Sequence, residues 1–300
     1  MASLLPALLS SLDYLSYYGV DIPLQLGWLT LPTVGSTPSA RNASYGDADA
    51  FFEGSNVSSL LQMPAAGLYE RRVSGRPGSY SRLLPGWEQN LSSWVDTQLA
   101  PRLANRTAAG VFVGDEICCH NATCVSTLLT PLTSALRDRA GEAALIYANE
   151  CGDTVSALPK QAGALPPALD LFGFDEYRYG PSHRAGDETA AVRKYAEQEL
   201  FPRLGAHQRF MAVPGTFACT NASYSPAAVE DVRIAGELRA YAAWARSEPR
   251  VAGLKPWHFR TRDHPQHAGP CDMEIGAASL PKTMAVLRAL GREVRAGRVG

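Results

Sequence analysis

The sequence has neither an excess of basic charge nor a long apolar run. Its 300 residues carry 28 Lys and Arg against 29 Asp and Glu, a formal net charge of -1. Nucleic acids and anionic membrane surfaces select strongly basic faces, so we expect neither as a partner. No uninterrupted apolar run reaches the ~18 residues that a membrane-spanning helix needs, so no membrane span is expected.

Three common active-site signatures are also missing. No Gly-rich phosphate turn follows the first strand-like run, which argues against a dinucleotide-binding sheet. No Gly-x-Ser-x-Gly turn is present, which argues against a serine hydrolase. The absence of a His-x-His strand makes a metal-dependent hydrolase using Asp, Glu and His groups the weakest of our hypotheses. We therefore expect no cofactor and no catalytic metal.

Asparagine is scarce, and almost every copy lies in a glycosylation sequon. Chance would place about one sequon among seven asparagines, since Ser and Thr make up roughly an eighth of the chain. Six of the seven lie in Asn-x-Ser/Thr: Asn42, Asn56, Asn90, Asn105, Asn121 and Asn221. This excess predicts N-glycans on a secreted or lumenal protein. The exception, Asn149, is a candidate ligand-binding residue.

The six cysteines agree with an oxidising compartment. An even count together with sequons predicts disulfides, although six cysteines allow fifteen pairings and the connectivity stays open. A zinc site at Cys118, Cys119, His120 and Cys124 is the competing interpretation. It lacks the usual paired Cys-x-x-Cys spacing, which disfavours it.

The N-terminus shows no evident signal peptide. Residues 4–12 could form a short apolar signal region, but a basic segment before it and a small-residue cleavage site after it are both absent. Leucines at positions 4, 5, 8, 12 and 15 fall at helical spacing. We expect a helix that packs on the domain, with any secretion signal upstream of Met1.

Nearly continuous apolar runs alternate with helical patterns along the chain. Such alternation indicates a buried parallel sheet. Six runs predict strands at 22–31, 110–117, 143–149, 169–177, 209–217 and 251–259. Helices are predicted at 87–103, 123–139, 185–204, 225–247 and 279–294, and a helix or loop at about 154–161.

Polar residues follow nearly every one of these runs, which favours a closed barrel over an open sheet. The predicted fold is α/β, a (β/α)₈ TIM-type barrel formed by residues 1–300 as a single domain. A full barrel needs eight strands and six are counted. Either the first one or two strands are absent, or the long irregular segment at about 32–85 contains one. That segment is expected to be a functional loop.

The residues at the strand ends are acids, amides and aromatic rings, which suits carbohydrate binding. In a parallel barrel these ends converge on one pocket. Candidate substrate-binding residues are Asp115, Asn149, Glu150, Tyr177, Trp257, His258 and Trp28.

Glycoside hydrolysis usually needs two carboxyl groups, one of which protonates the leaving oxygen. Glu116 is the predicted acid, because the charge of Asp115 would favour its protonated form if the two side chains approach. Asp175 is the first choice as its partner, since alternation sends Asp175 and Tyr177 to the same side. Glu176 and Glu150 remain open.

Three of these segments resemble strands of (β/α)₈ glycoside hydrolases related to the large retaining clan. GVFVGDEICC is similar to their fourth strand, which ends in Asn-Glu or Asp-Glu and supplies the acid/base. LDLFGFDEYRYG is similar to the sixth strand, and VAGLKPWHF to the eighth, which commonly supplies a sugar-stacking Trp. The resemblance implies that Glu116 is the acid/base and that Trp257 is a stacking platform.

One departure from that family concerns the nucleophile, a Glu at the end of its seventh strand. The corresponding segment here, VPGTFACT, contains no acid. Inversion, recruitment of Asp175 or Glu176, and loss of activity all remain open. We therefore expect a glycoside hydrolase-like protein acting on a carbohydrate, with a non-catalytic carbohydrate-binding barrel as the alternative.

Overall fold

Strands and helices alternate along the chain, as the sequence predicts. The computed structural model describes residues 14–17, 28–30, 59–70, 82–177, 183–220, 226–257, 262–263 and 273–295. Among these residues, no helix is both long enough and apolar enough to cross a membrane.

Eight strands form a closed barrel, which confirms the TIM-type fold. In chain order they are β1 (Tyr14–Tyr17), β2 (Trp28–Thr30), β3 (Ser59–Gln62), β4 (Ala108–Asp115), β5 (Leu145–Asn149), β6 (Leu171–Phe174), β7 (Arg209–Ala212) and β8 (Val251–Leu254). Around the sheet the order is β1, β8, β7, β6, β5, β4, β3, β2, so each strand lies beside its neighbours in sequence. The pairings β3–β4, β4–β5 and β5–β6 are parallel.

Two of the eight strands, β1 and β3, were not among the six predicted. β3 lies inside the segment at about 32–85, so that segment contains a strand. Its residues Leu60 and Leu61 are fully buried. β1 includes Leu15 and is extended, so the predicted N-terminal helix is wrong at that position. The remainder of the predicted helix lies outside the described residues.

Five helices follow the predicted positions closely, and a sixth, α3, covers only the start of the segment expected at about 154–161. α1 runs through Trp87–Trp94, Val95–Leu99 and Ala100–Ala104; α2 through Ala122–Cys124, Val125–Leu129 and Thr130–Ala140; α3 is Gly152–Ser156; α4 runs through Asp187–Tyr195, Ala196–Leu200 and Phe201–Arg203; α5 is Ala227–Ser247; α6 is Pro281–Arg295. Trp94, Val95 and Leu99 of α1 are buried, as their spacing predicts.

Three helices contain a five-residue π-type segment, and each segment has the same cause. The segments Val95–Leu99, Val125–Leu129 and Ala196–Leu200 precede Pro101, Pro131 and Pro202 by two residues. Proline has no N–H to donate, and its ring clashes with the carbonyl four residues earlier. The helix therefore widens locally to wider-spaced bonds, such as that from the Ala100 N–H to the Val95 carbonyl.

The chain divides into two compact units, residues 30–174 with 196–209, and residues 1–29 with 175–195 and 210–300. In the first unit the rings of Phe112 and Tyr147 stack at 5.0 Å between centroids, which packs β4 against β5. In the second, the rings of Phe210 and Trp244 lie 5.9 Å apart, which packs β7 against α5. The single-domain interpretation stays a prediction.

The strand predicted at 209–217 is too long. β7 ends at Ala212, and Phe217–Thr220 instead pairs antiparallel with Met273–Gly276. This second strand belongs to a small three-stranded sheet outside the barrel. Residues 210–217 are all buried, on both sides of the break at Val213 and Pro214, so the composition alone does not reveal that break.

Candidate active site

Asp115 is the last residue of β4, and Glu116 follows it directly. The eight-stranded count makes β4 the fourth strand, the position that the family resemblance implies for this pair. Near the amino ends of β4 and β5 the strands approach closely, because a Cβ on Gly110 would overlap the Leu145 carbonyl oxygen. At their carboxyl ends Asp115 lies opposite Asn149, after a shift in register between Phe112 and Asp115.

Glu116 has an unusual backbone conformation. Its φ is +51°, in the left-handed region that residues with a side chain rarely adopt. The Glu116 N–H donates to the Asn149 carbonyl at 2.8 Å, which holds the residue against the end of β5. Its side chain is half-buried, and Oε1 lies 3.3 Å from Cys151 Sγ. Strained backbone of this kind persists where the surroundings enforce it, often in active sites.

Asn149 is the asparagine without a sequon, and it contacts the acidic pair directly. Its Nδ2 donates to Asp115 Oδ1 at 2.8 Å, and the residue is buried. Asp115, Glu116 and Asn149, all predicted site residues, therefore lie together at the ends of β4 and β5.

Glu150 supports the turn that follows Glu116. Its side chain is 0% exposed, and both carboxylate oxygens accept from the Cys118 N–H, at 3.1 and 2.9 Å. The Thr154 hydroxyl donates to the Cys118 carbonyl at 2.9 Å. A carboxylate buried against backbone in this way stabilises the turn. Glu150 therefore supports the backbone next to Glu116.

Two cysteine pairs at disulfide distance join this turn to its surroundings. Cys118 pairs with Cys124, with Cα atoms 5.3 Å apart, and Cys119 pairs with Cys151, with Cα atoms 5.0 Å apart. Both Cα separations lie in the usual range for disulfides.

The pairing of Cys119 with Cys151 disfavours the competing zinc interpretation. The ligand atoms of Cys119, His120 and Cys151 lie within 4.8 Å of one another. Cys119 and Cys151 lie at disulfide distance, however, and a sulfur in a disulfide is not the thiolate that zinc requires. The His120 ring instead contacts the Asp153 carboxylate, at the exposed side of the turn.

In the second unit, Asp175, Glu176 and Tyr177 follow β6 and are half-buried. β6 ends at Phe174, so these three residues form the strand-to-helix connection rather than the strand end that was predicted. The Tyr177 ring packs edge-on against Phe217 at 5.4 Å between centroids. It also lies beside Gly215, where a Cβ would come within 3.0 Å of the Tyr177 ring.

A buried carboxylate that the sequence analysis missed lies beside the residues after β7. The Glu188 side chain, 2% exposed, belongs to the first turn of α4. Its Oε1 accepts from the Gly215 N–H at 2.9 Å and from the Tyr241 hydroxyl at 3.2 Å. Burial, followed by the negative charges of Glu188 and Glu237, raises the pKa of Tyr241 well above its ordinary value. Tyr241 is therefore a neutral donor to this carboxylate.

Nothing in the sequence distinguishes Glu188 from other helix-starting acids. Asp187 and Glu188 both fit the preference of the helix dipole for acids in the first turn. Asp187 does act locally, since its carboxylate accepts from the Arg184 N–H at 2.7 Å. Only the fold brings Glu188 to Gly215, 27 residues away.

The remaining predicted residues belong to β2 and to the segment after β8. The Trp257 N–H donates to the Pro214 carbonyl at 2.8 Å, which continues the pairing of the two segments beyond β7 and β8. Its side chain is half-buried. Lys255, two residues earlier, is buried. Trp28 is the first residue of β2, and His258 lies outside the described residues.

No protein-family model and no curated protein matches this chain. Solved structures do match it. The GH113 β-mannanase from Alicyclobacillus acidocaldarius aligns over 95% of this chain and 98% of its own, at 15% identity and a TM-score of 0.53.

Longer enzymes match over part of their length. The β-glucuronidase from Ruminococcus gnavus aligns over 89% of this chain at 11% identity and a TM-score of 0.56. The GH2 β-galacturonidase from Eisenbergiella tayi aligns over 93% at 11% identity and a TM-score of 0.55. The chain spans 44% and 51% of these two proteins. At such identities the likeness establishes a shared barrel fold.

Proposed function

We propose that this protein is a glycoside hydrolase-like enzyme that cleaves an O-glycosidic bond, with Glu116 as the general acid/base. The observation that carries the proposal is the place of Glu116, directly after the fourth strand of an eight-stranded barrel and in a left-handed backbone conformation. Active sites of such barrels lie at the carboxyl ends of the strands. The glycoside hydrolases among the solved structures that share the fold add support.

The chemistry assigned to each residue follows from its position. Glu116 would donate a proton to the leaving oxygen and later accept one from water. Asp115 and Asn149 form a hydrogen-bonded pair beside it, and both residue types bind sugar hydroxyls well. Asp175, with Glu176 as the second choice, remains the proposed second carboxylate. Tyr177 and Trp257 would offer ring faces to a sugar.

The test is hydrolysis of aryl glycosides, including β-mannosides, β-glucuronides and β-galacturonides, followed by plant, algal and fungal polysaccharides. Glu116→Gln keeps the size of the side chain and removes its acid function, so kcat/KM should fall about 10²–10⁴-fold on a responsive substrate. The loss should be largest for poor leaving groups, because a good leaving group departs without protonation. Asp175→Asn and Glu176→Gln are assayed in parallel.

The matched control is Glu142→Gln, which removes one exposed carboxylate from the same unit. It should retain wild-type activity. Equal hydrolysis by wild type and Glu116→Gln, on good and poor leaving groups alike, would rule out the acid role.

A second function, non-catalytic carbohydrate binding, is favoured by the residues that follow β7. Val213 to Phe217 contains no acid, and all five of its residues are buried. A barrel that had lost its nucleophile would still offer the polar strand ends to a sugar. Calorimetric titration with oligosaccharides separates the two functions: binding without hydrolysis in any assay supports the second and contradicts the first.

We also propose that the protein passes through an oxidising, glycosylating compartment. Six sequons and two cysteine pairs at disulfide distance, Cys118–Cys124 and Cys119–Cys151, support this proposal. Asn90 and Asn105 are exposed, as a glycan would require. Asn42 lies outside the described residues.

A further inference from the structure

We infer that the end of β5 is a scaffold that positions Glu116, and that Glu150 and the Cys119–Cys151 pair are its positioning residues. The inference goes beyond the proposed function, because it assigns a task to Glu150 and to two cysteines that have no role in that function. It rests on the proposed function in one respect, namely that Glu116 is the acid/base whose position affects the rate.

The need for positioning arises from the backbone of the turn. Glu116 and His120 both have left-handed φ values, +51° and +62°, in a stretch of five residues. L-residues disfavour this conformation, and an isolated chain would spend little time in it. External attachments must therefore hold the turn in place.

Those attachments converge on one short stretch, residues 149–154. The Asn149 carbonyl accepts from the Glu116 N–H at 2.8 Å, and the Glu150 carboxylate accepts from the Cys118 N–H at 2.9 Å. Thr154 donates to the Cys118 carbonyl, and Cys151 pairs with Cys119. Glu116, Cys118 and Cys119 are thus each attached to residues 149–154, and Cys118 is attached to Cys124 as well.

Glu150 is suited to this task and not to catalysis. Its carboxylate is completely buried, and burial of a charge is costly unless hydrogen bonds compensate. The Cys118 N–H supplies such a bond to both oxygens. Removing the acceptor would leave that N–H unsatisfied and release the middle of the turn.

The neighbouring Cys118–Cys124 pair provides an internal control for the Cys119–Cys151 pair. Cys119 and Cys151 are 32 residues apart in sequence and join the turn to the β5 segment. Cys118 and Cys124 are only 6 residues apart and join the turn to the start of α2. Only the first pair constrains Glu116 relative to β5, and Cys151 Sγ is also the sulfur that lies 3.3 Å from the Glu116 carboxylate.

The test compares Cys119→Ser/Cys151→Ser with Cys118→Ser/Cys124→Ser in the full chain. Amide hydrogen exchange of peptides that cover residues 116–120 is measured together with kcat and KM. In the first double variant we expect exchange at least about 10-fold faster and kcat about 10- to 100-fold lower, with KM within about twofold, because small misplacement of a catalytic group costs rate. In the second we expect kcat within about threefold of wild type.

Glu150→Gln and Glu150→Ala provide an independent comparison that does not remove a disulfide. The glutamine keeps one carbonyl oxygen as an acceptor, so it should restore most of the exchange protection and kcat that the alanine loses. Equal behaviour of the two Glu150 variants, or of the two cysteine double variants, would overturn the inference. If a cysteine variant does not fold, the Glu150 pair decides alone.

These outcomes are separable from the fate of the proposed function. Hydrolysis by Glu116→Gln at the wild-type rate would overturn the acid role of Glu116. So would a wild-type protein that hydrolyses none of the substrates. Hydrogen exchange would still report whether residues 149–154 hold the turn, since it needs no substrate. Unchanged exchange in Cys119→Ser/Cys151→Ser and in Glu150→Ala would overturn the scaffold whatever the activity.

Discussion

The Glu116 residue combines an unfavourable backbone with a chemically useful side chain. At φ +51° the Cβ of glutamate is disfavoured sterically by about 1 kcal/mol, a cost that glycine does not have. We therefore predict that Glu116→Gly abolishes hydrolysis while the free energy of unfolding stays unchanged or rises by up to about 1 kcal/mol. Urea denaturation and the glycoside assay measure the two effects.

Arg106 is the matched control for this prediction. Its φ is +64°, in the same unit, and it is exposed. Arg106→Gly should change stability in the same direction and leave hydrolysis intact. A destabilisation of Glu116→Gly by more than about 1 kcal/mol would mean that the glutamate side chain stabilises the turn rather than straining it.

The Tyr241 hydroxyl provides a pH-dependent prediction at the residue scale. Burial and the charges of Glu188 and Glu237 raise its pKa above the unfolded value of about 10. The contribution of Tyr241 to the free energy of unfolding is fully present below pH ~10. It is lost as the pH rises toward the folded-state pKa, because the tyrosine of the unfolded chain loses its proton at a lower pH than the folded one. The stability difference between wild type and Tyr241→Phe should therefore shrink above pH ~10.

At pH 7 the same variant should lose about 1.5–3 kcal/mol, because Glu188 loses a hydrogen bond in a buried place. Urea denaturation of both proteins from pH 7 to 11 measures the difference in free energy of unfolding. The titration of every other group contributes equally to both proteins and therefore cancels in that difference. A difference that stays constant over this range would contradict the raised pKa.

Among individual residues, the sequence indicated those at strand ends and missed those brought together by folding. Glu116 could be found because it directly follows an apolar run. Glu188 could not, because a first-turn acid on a helix usually serves the helix dipole and its contact with Gly215 is long-range. Glu150 was found for its position, but its hydrogen bond from the Cys118 N–H joins residues 32 positions apart and could not be predicted.

At the scale of elements, α5 provides two buried carboxylates that cap other helices. Glu237 accepts from the Gly186 N–H at 2.6 Å and from the Thr189 N–H at the start of α4. Asp231 accepts from the Lys282 and Thr283 N–H groups, at 2.9 and 2.8 Å, at the start of α6. The first N–H groups of a helix have no partner within it, so α5 satisfies them from outside.

We predict that Asp231→Ala lowers the free energy of unfolding by about 2–3 kcal/mol, because two buried N–H groups lose a charged acceptor. Glu293→Gln is the matched control, since the Arg246–Glu293 ion pair joins the same two helices with side chains 40% and 42% exposed. That exposed pair should contribute less than about 1 kcal/mol. Equal losses in urea denaturation would contradict the capping role.

Secondary structure was predicted well where a segment was long and buried. The helices α1, α2, α4, α5 and α6 were placed within about three residues at each end, in keeping with the usual uncertainty of such boundaries. β3 was missed because its four residues, SLLQ, are too few to show periodicity. β1 was missed because leucines at helical spacing precede it and include Leu15.

For the whole molecule, the closed barrel was the feature that the sequence predicted and that the fold confirms. Strand ends that carry polar residues indicated a closed barrel, and the motifs likened to fourth, sixth and eighth strands occupy those places in the count of eight. The place of the second carboxylate was beyond this reasoning. It depends on how loops rather than strands are arranged, and the expected seventh-strand acid is replaced by Thr216 and Phe217.

Glycosylation is the prediction that concerns the molecule as a whole, because it tests the compartment in which the chain folds. Asn105 is exposed, and its Oδ1 accepts from the hydroxyl of its own sequon residue, Thr107, at 2.7 Å, which leaves Nδ2 available for a sugar. Protein made in a glycosylating eukaryotic host should lose mass on treatment with a peptide-N-glycosidase, which converts each glycosylated Asn to Asp, and Asn105→Gln should remove one glycan. Release in ¹⁸O water marks each occupied asparagine for peptide mapping. Asn149, which is buried and has no sequon, must remain unmarked, and an unmarked Asn105 together with five other unmarked sequons would contradict passage through that compartment.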